Sequence, residues 1–384
     1  MDSQPAPSPT GPSSQEGARP RVALVFGGRS EEHAISCSTA ASVLRAIDRD
    51  RYDVLPVGIT REGRWVLVED DPTALEIRDG RLPHVPDTGR QVIVPLGGVD
   101  HDLRVVEPDG STTELGPVDV VFPLLHGPFG EDGTIQGLLE LADIRYVGCG
   151  VLASAAMMDK HVMKVLFASA SLPVGPYTVI TDLQWRRDRA ACLDAANGLS
   201  FPVFVKPARA GSSVGVFKVE APEELEAAIE KARDHDPKVL VEQAIEGREV
   251  ECGVLQGRAA EPPRISEPGE VAVVGGHDFY DFEAKYLDEG NVRITAPADV
   301  GPRVRERIAE IARTAFEIAG CEGLARVDCF VTDAGEVVLN EINTMPGFTP
   351  FSMYPQVWAA SGMSYPELVD ELVQLALERP LGLR

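Results

Sequence analysis

The sequence predicts an α/β chain built from more than one domain, and three observations point there. At 384 residues it is too long for a single core, so two or three domains are expected. RVALVFGG (21–28) reads as a buried strand running into a glycine turn, with a helical pattern from about Ser36. Beyond about residue 150 the texture changes to short strands, a glycine-rich turn and amphipathic helices, as in a small α+β module.

Taken in order, residues 1–20 are Pro, Ser and Gly with almost nothing to bury, the composition of a disordered tail. The second apolar run, VDVVFPLL (118–125), ends at His126. The loop HGPFGEDG follows, then TIQGLLELAD, whose Ile135, Leu138, Leu139 and Ala142 share a helical face. Ligands of open α/β sheets sit beyond the carboxyl ends of strands, where both Gly27–Gly28 and His126 fall. In the next segment MMDKHVMKVLFASA reads as helix, FPVFVKP and VFKVE as strands around ARAGSSVG, and APEELEAAIEKARD as an amphipathic helix with Pro222 in its first turn. The last third holds the strand KVLVEQAI and an irregular stretch at 255–300. A helix follows with Val304, Ile308, Ile311, Ala315 and Ile318 along a core stripe, between Gly301-Pro302 and Gly320. These shifts place domains at 21–150, 151–240 and 241–384.

Composition narrows the function. Net charge is −24, from 36 Lys plus Arg against 60 Asp plus Glu, so a phosphate backbone would be repelled and nucleic acid is not an expected partner. An anionic small substrate needs only a few convergent cations. The six cysteines have no C-x-x-C pair or metal-ligand spacing and read as reduced thiols of a cytoplasmic protein. No segment has the length of a membrane span or the pattern of a signal peptide.

The sharpest constellation is LARVDCFVTDAGEVVLNEINT (324–344), two β-type runs around a tight turn at DAGE. A turn centred between Ala334 and Gly335 sets Asp328 opposite Glu341 and Arg326 opposite Asn343, all on one face. Paired carboxylates repel unless something positive lies between them. Asp, Glu and an Asn amide are hard oxygen donors suited to Mg²⁺, and Arg326 would meet anionic oxygen beside the metal. The alternative is the solvated face of an edge hairpin.

A metal–nucleotide would also need phosphate ligands. AGSSVG (210–215) offers backbone N–H groups and serine hydroxyls between two strands, although glycine-rich hairpins are often only turns. Lys206 ends an apolar strand just before that loop, where an ammonium needs an anion. Lys160 is a second candidate, with an exposed helix lysine as its alternative. FYDFEAKY (279–286) alternates aromatics and charges, as either a polar edge strand or a loop.

The blocks GGRSEEHAIS, HGPFGEDG, MDK, VKPARAGSSVG, VEQAIEGREVE, FYDFEAKY, RVDCF and NEINTMPGFTPFSMYP occur in that order. The chain from 21 to 384 thereby resembles the D-alanine–D-alanine ligases of the ATP-grasp superfamily. The resemblance implies a three-domain ATP-grasp fold with a Rossmann-like N-terminal parallel sheet and ATP between two α+β domains. It implies that Lys160, Lys206, Lys285 and the loop with Ser212 and Ser213 meet phosphates, while Glu242, Gln243, Ile245 and Glu249 hold adenine and ribose. Asp328, Glu341 and Asn343 would bind two Mg²⁺ or Mn²⁺. Glu32 and His126 would serve the first D-alanine, and Arg326, Gly347 and Ser352 the second. Tyr280 would line the site and Tyr286 would bond Ser212 and Glu32 from a lid loop, while Met345, Phe348, Pro350 and Phe351 fall where relatives vary. A homodimer is implied as well. The rivals are a D-alanine–D-lactate ligase, another ATP-grasp carboxylate–amine ligase, or a nucleotide-binding regulator; by the resemblance Tyr286 favours the dipeptide over the depsipeptide, and intact Arg326, Asp328, Glu341 and Asn343 argue against the regulator.

Overall fold

A computed structural model describes residues 19–78, 81–96, 102–259, 261–273 and 292–382. Three sheets carry the architecture. The first is formed by β1 (Arg21–Gly27), β2 (Asp53–Ile59), β3 (Trp65–Leu67), β4 (Gln91–Ile93), β5 (Asp102–Val106), β6 (Thr112–Pro117), β7 (Val120–Pro123) and β8 (Arg145–Tyr146). Its order is β6-β5-β4-β3-β2-β1-β7-β8. Only β2, β1, β7 and β8 are parallel, and the other four extend the sheet as an antiparallel run. The expected parallel sheet is therefore one half of a mixed one. β1 reads clearly in sequence because Val22 through Phe26 are buried on both faces, whereas β6 is mostly exposed.

β1 lies between β2 and β7, so a crevice opens beyond their carboxyl ends. Gly27 and Gly28 turn the chain there with φ of 91° and 93°, and a Cβ on Gly27 would come within 2.4 Å of the Ile59 carbonyl oxygen. Helix α1 (His33–Ala46) begins three residues before Ser36. The Ser36 hydroxyl lies inside it, accepting from the Gly27 amide at 2.7 Å and donating to the Leu124 carbonyl at 2.5 Å. Helix α2 (Thr134–Leu141) follows the loop after β7 and buries Ile135 and Leu139.

The helical stretch near 160 is two helices, α3 (Val151–Met158) and α4 (Lys160–Ser169). They break at Asp159, whose carboxylate caps α4 by accepting from the amides of His161 and Val162 at 3.1 and 3.2 Å. Their apolar faces (Ala153, Met157, Met163, Phe167) join the core of the third sheet, not the second.

The second sheet contains β9 (Tyr177–Ile180), β10 (Val203–Pro207), β11 (Phe217–Val219) and β12 (Val239–Gln243), in the antiparallel order β11-β10-β12-β9. Helices α5 (Asp182–Arg187), α6 (Arg189–Asn197) and α7 (Leu225–Arg233) supply Trp185, Cys192, Ala196, Leu225 and Ile229 to its separate core. Position 240 falls inside β12, so this unit runs past the expected boundary.

The third sheet is antiparallel: β13 (Arg248–Leu255), β14 (Arg264–Val273), β15 (Val292–Thr295), β16 (Leu324–Val331) and β17 (Val337–Asn343), ordered β15-β14-β13-β16-β17. Helix α8 (Pro302–Ile318) buries Ile308, Ile311, Ala315 and also Phe316, while Ile318 is 39% exposed and lies off the expected stripe. Helices α9 (Met353–Ala360) and α10 (Tyr365–Glu378) close the chain. One apolar cluster runs from Leu24, Phe26 and Phe122 through Phe348, Tyr354 and Leu372 to Leu255 and Leu324, so the first and third sheets share a core. All six cysteines are free and buried. Among the described residues, no helix is long and apolar enough to cross a membrane.

Candidate active site

The three sheets meet at a cleft of about 1530 Å³. Its lining holds Glu32, His126, Lys160, Lys206, Ser212, Ser213, Glu242, Gln243, Ile245, Glu249, Arg326, Glu341, Asn343, Gly347 and Ser352. Asp328, only 2% exposed, lies beneath that surface against Arg326 and Asn343. Tyr280, Lys285 and Tyr286, with the rest of FYDFEAKY, lie outside the described residues.

The floor is the β16–β17 hairpin. Asp328 stands opposite Glu341 and Arg326 opposite Asn343, as the spacing predicted. The route to that pairing differs. Nearer the turn Cys329 pairs with Leu339 and Val331 with Val337, a register one residue off, and a bulge after Asp328 restores the pairing. Arg326 donates from Nε to Asp328 Oδ1 at 2.8 Å and from Nη2 to Oδ2 at 2.7 Å, and the Asn343 amide donates to Asp328 Oδ2 at 2.9 Å. Burial opposes the charge of Arg326, but Asp328 and Glu251 outweigh it and hold the guanidinium firmly protonated. Lys160 Nζ is 3.8 Å from Glu341 and donates to the Ala210 carbonyl at 2.8 Å, which ties the floor to the glycine-rich loop.

The second sheet forms one wall. Lys206 does find an anion, but a protein one: its Nζ donates to Glu242 Oε2 at 2.6 Å, and Lys164 Nζ approaches Oε1 at 3.1 Å. Burial alone would push the Glu242 carboxyl up; the two lysines overcome this and hold it down to about 2. Lys206 is likewise raised, burial being outweighed by Glu242. Lys164, 3% exposed, escaped the sequence reading although it lies one helical turn from Lys160.

The first sheet brings Glu32, at the head of α1 and 7% exposed. Ser212 donates to its Oε1 across the cleft. Ser212 and Ser213 hold φ of 47° and 59°, left-handed values unusual for serine. Glycines flank the carboxylate: a Cβ on Gly127 or Gly211 would lie 2.6 or 3.1 Å from Glu32 Oε2. His126 is buried, and burial lowers its pKa below the usual imidazole range. Its Nδ1 lies 3.3 Å from the Met345 carbonyl and its Nε2 3.2 Å from the Thr39 hydroxyl, so the ring links α1 to the segment after β17. Glu131, also missed in sequence, accepts from the Gly127 amide at 2.6 Å, and burial beside Glu32 pushes its carboxyl up to about 8. The Ser352 hydroxyl meets Thr349, and a Cβ on Gly347 would come 3.1 Å from it. Phe348 is fully buried core, whereas Phe351 is 81% exposed on the cleft rim.

The fold is that of ligases acting on D-amino acids. The chain superposes on the VanG D-Ala:D-Ser ligase from Enterococcus faecalis with a TM-score of 0.80 and 34% identity, covering 94% of this chain and 100% of that one. It superposes on the D-alanine–D-alanine ligase from Coxiella burnetii with 0.78 and 32%, covering 94% of each. Models of the D-ala D-ala ligase N-terminus and C-terminus match residues 21–149 and 166–374, and the chain belongs to the D-alanine–D-alanine ligase family. The D-alanine–D-alanine ligase of Kineococcus radiotolerans is 61% identical over 95% of this chain and 99% of its own length. That of Paenarthrobacter aurescens is 58% identical over 95% and 97%.

Proposed function

We propose that this cytoplasmic enzyme, a homodimer, joins two D-alanines into D-alanyl-D-alanine for peptidoglycan precursors with ATP as co-substrate. The observation that carries the reading is the convergence on one cleft of Glu32, the Lys206–Glu242–Lys164 cluster and the Arg326–Asp328–Glu341–Asn343 floor. In this reading the first domain receives D-alanine, and the second and third hold ATP between them.

The reaction has two steps. The carboxylate of the first D-alanine attacks the γ-phosphorus of ATP, giving an acyl phosphate and ADP. The neutral amine of the second attacks the acyl carbon, expelling phosphate and giving up a proton. Glu32 takes the ammonium of the first D-alanine, with His126 beside it. Lys160, Lys206 and the 211–215 loop, with the Ser212 and Ser213 hydroxyls, neutralise and align phosphates. Glu242, the backbone of Gln243 and Ile245, and Glu249 hold adenine and ribose. Arg326, Gly347 and Ser352 bind the second D-alanine, and Arg326 stabilises the oxyanion. Keeping water from the acyl phosphate, which it would hydrolyse, is the role the family resemblance gives Tyr280, Lys285 and Tyr286.

The donor set fits two Mg²⁺ or Mn²⁺. Asp328, Glu341 and Asn343 supply hard oxygen donors, Glu341 and Asn343 on the cleft and Asp328 just beneath it. Mg²⁺ is commonly held by one or two carboxylates and completed by substrate phosphates, which two carboxylates and one amide can serve. Such ions, when bound, neutralise charge on the transferring phosphoryl group. Incubating the purified protein with ATP, Mg²⁺ and D-alanine, with and without D-lactate or D-serine, tests the reading. D-Alanine-dependent phosphate release with a D-alanyl-D-alanine mass supports it. No such release would sink it, and a depsipeptide or mixed dipeptide as the main product would change the second substrate.

A further inference from the structure

Glu251 belongs to none of the roles above, yet it sits on the cleft floor. It stands directly opposite Asp328 on β13, so Glu251, Asp328 and Glu341 form one row across β13, β16 and β17. Its side chain is 3% exposed, and Arg326 Nε lies 2.8 Å from Glu251 Oε2. The same Nε donates to Asp328 Oδ1 at 2.8 Å, so one guanidinium is shared by two buried carboxylates.

Asp328 has two demands on it. In this structure both of its oxygens accept from Arg326. A divalent cation held by Asp328 would draw the same lone pairs and repel the guanidinium. With Asp328 as its only anchor, Arg326 would be displaced as the cation arrived. A second carboxylate on the far strand removes that conflict.

We propose that Glu251 is the positioning residue for Arg326, holding the guanidinium on the cleft floor while Asp328 turns to the cation. The inference rests on the roles given above to Arg326 and Asp328. In this reading Glu251 acts through Arg326.

The test is Glu251→Gln, Glu251→Asp and Arg326→Ala, with Glu251→Gln repeated on the Arg326→Ala background. Two readouts are used: steady-state kinetics, and Mn²⁺ binding followed by electron paramagnetic resonance with a non-hydrolysable ATP analogue. Glu251→Gln is expected to lower kcat and weaken Mn²⁺ binding about 10- to 100-fold, the usual cost of losing a supporting partner. The KM for ATP should stay within about twofold and the far-ultraviolet spectrum should be unchanged, because Asp328 still pairs with Arg326. Glu251→Asp, which keeps the charge, should recover part of kcat. On the Arg326→Ala background Glu251→Gln should weaken Mn²⁺ no further. Wild-type kcat and Mn²⁺ binding in Glu251→Gln would overturn the proposal, as would equal losses in Gln and Asp variants or a full additional loss on the Arg326→Ala background. If Arg326→Ala keeps full turnover, the role given to Arg326 falls instead, and the Mn²⁺ measurements alone decide the case of Glu251.

Discussion

Ser212 and Glu32 touch although 180 residues separate them, the hydroxyl of the glycine-rich loop donating to the carboxylate at the head of α1. This contact joins the wall proposed for phosphate to the wall proposed for D-alanine. Gly127 and Gly211 leave the carboxylate its room.

Gly211→Ala should crowd Glu32 Oε2, because the new Cβ would sit 3.1 Å from it. The carboxylate must shift by a few tenths of an ångström, and kcat/KM for D-alanine should fall about tenfold. Gly127→Ala should be worse, since its Cβ would lie 2.6 Å away and its φ is +72°. Kinetics and melting temperature measured together check the pair: the first variant should melt like the parent, the second below it.

Glu242→Gln should leave Lys206 and Lys164 buried without their carboxylate, at a cost of about 3 kcal/mol or more. The parent has a matching acid limb. Its Glu242 carboxyl, held down to about 2, contributes stability that is full above the ordinary value of 4.5 and is lost as pH falls through the folded value. Urea unfolding between pH 6 and about 2.5 should show that limb in the parent and a much shallower one in the variant.

Glu131 should act in the opposite sense. Its folded carboxyl is pushed up to about 8 from 4.5, so the native state keeps a proton that the unfolded chain releases. That contribution is present below pH 4.5 and is lost as pH rises through about 8. Glu131→Gln removes the titration. The stability difference between variant and parent should therefore grow in the variant's favour from pH 5 to pH 8; a constant difference would refute the shift.

Glu341→Gln should abolish turnover while the protein stays folded, because the amide replaces an anionic oxygen on the floor with a neutral one. Circular dichroism and the phosphate-release assay check both halves, and full activity would refute a metal role for Glu341.

The hairpin was legible because two-residue alternation and a short turn leave few registers. Even so, the correct pairing of Asp328 with Glu341 depended on a bulge that no spacing announced. Lys160 and Lys206 could be found beside apolar strands or turns, whereas Lys164 looked like any helix lysine; only its i, i+4 relation to Lys160 marked it. Glu251 left a clearer trace. In REVECGVL, Glu249 and Glu251 alternate with Val250 and Cys252, which puts both acids on one strand face. The raised carboxyl of Glu131 depends on its burial beside Glu32, a non-local fact that its own loop does not encode. Likewise α3 and α4 are plainly helical in sequence, but which sheet they cover depends on tertiary packing.

The apolar cluster shared by the first and third sheets has a thermodynamic counterpart. Those two sheets share their packing, while the second sheet has a core of its own and is tied to its neighbours by polar contacts such as Lys238–Asp159 and Ser212–Glu32. Heating should therefore divide the chain into two calorimetric units, a small one around β9 to β12 and a large one comprising the rest. A nucleotide gripped between them would fuse the two endotherms into one.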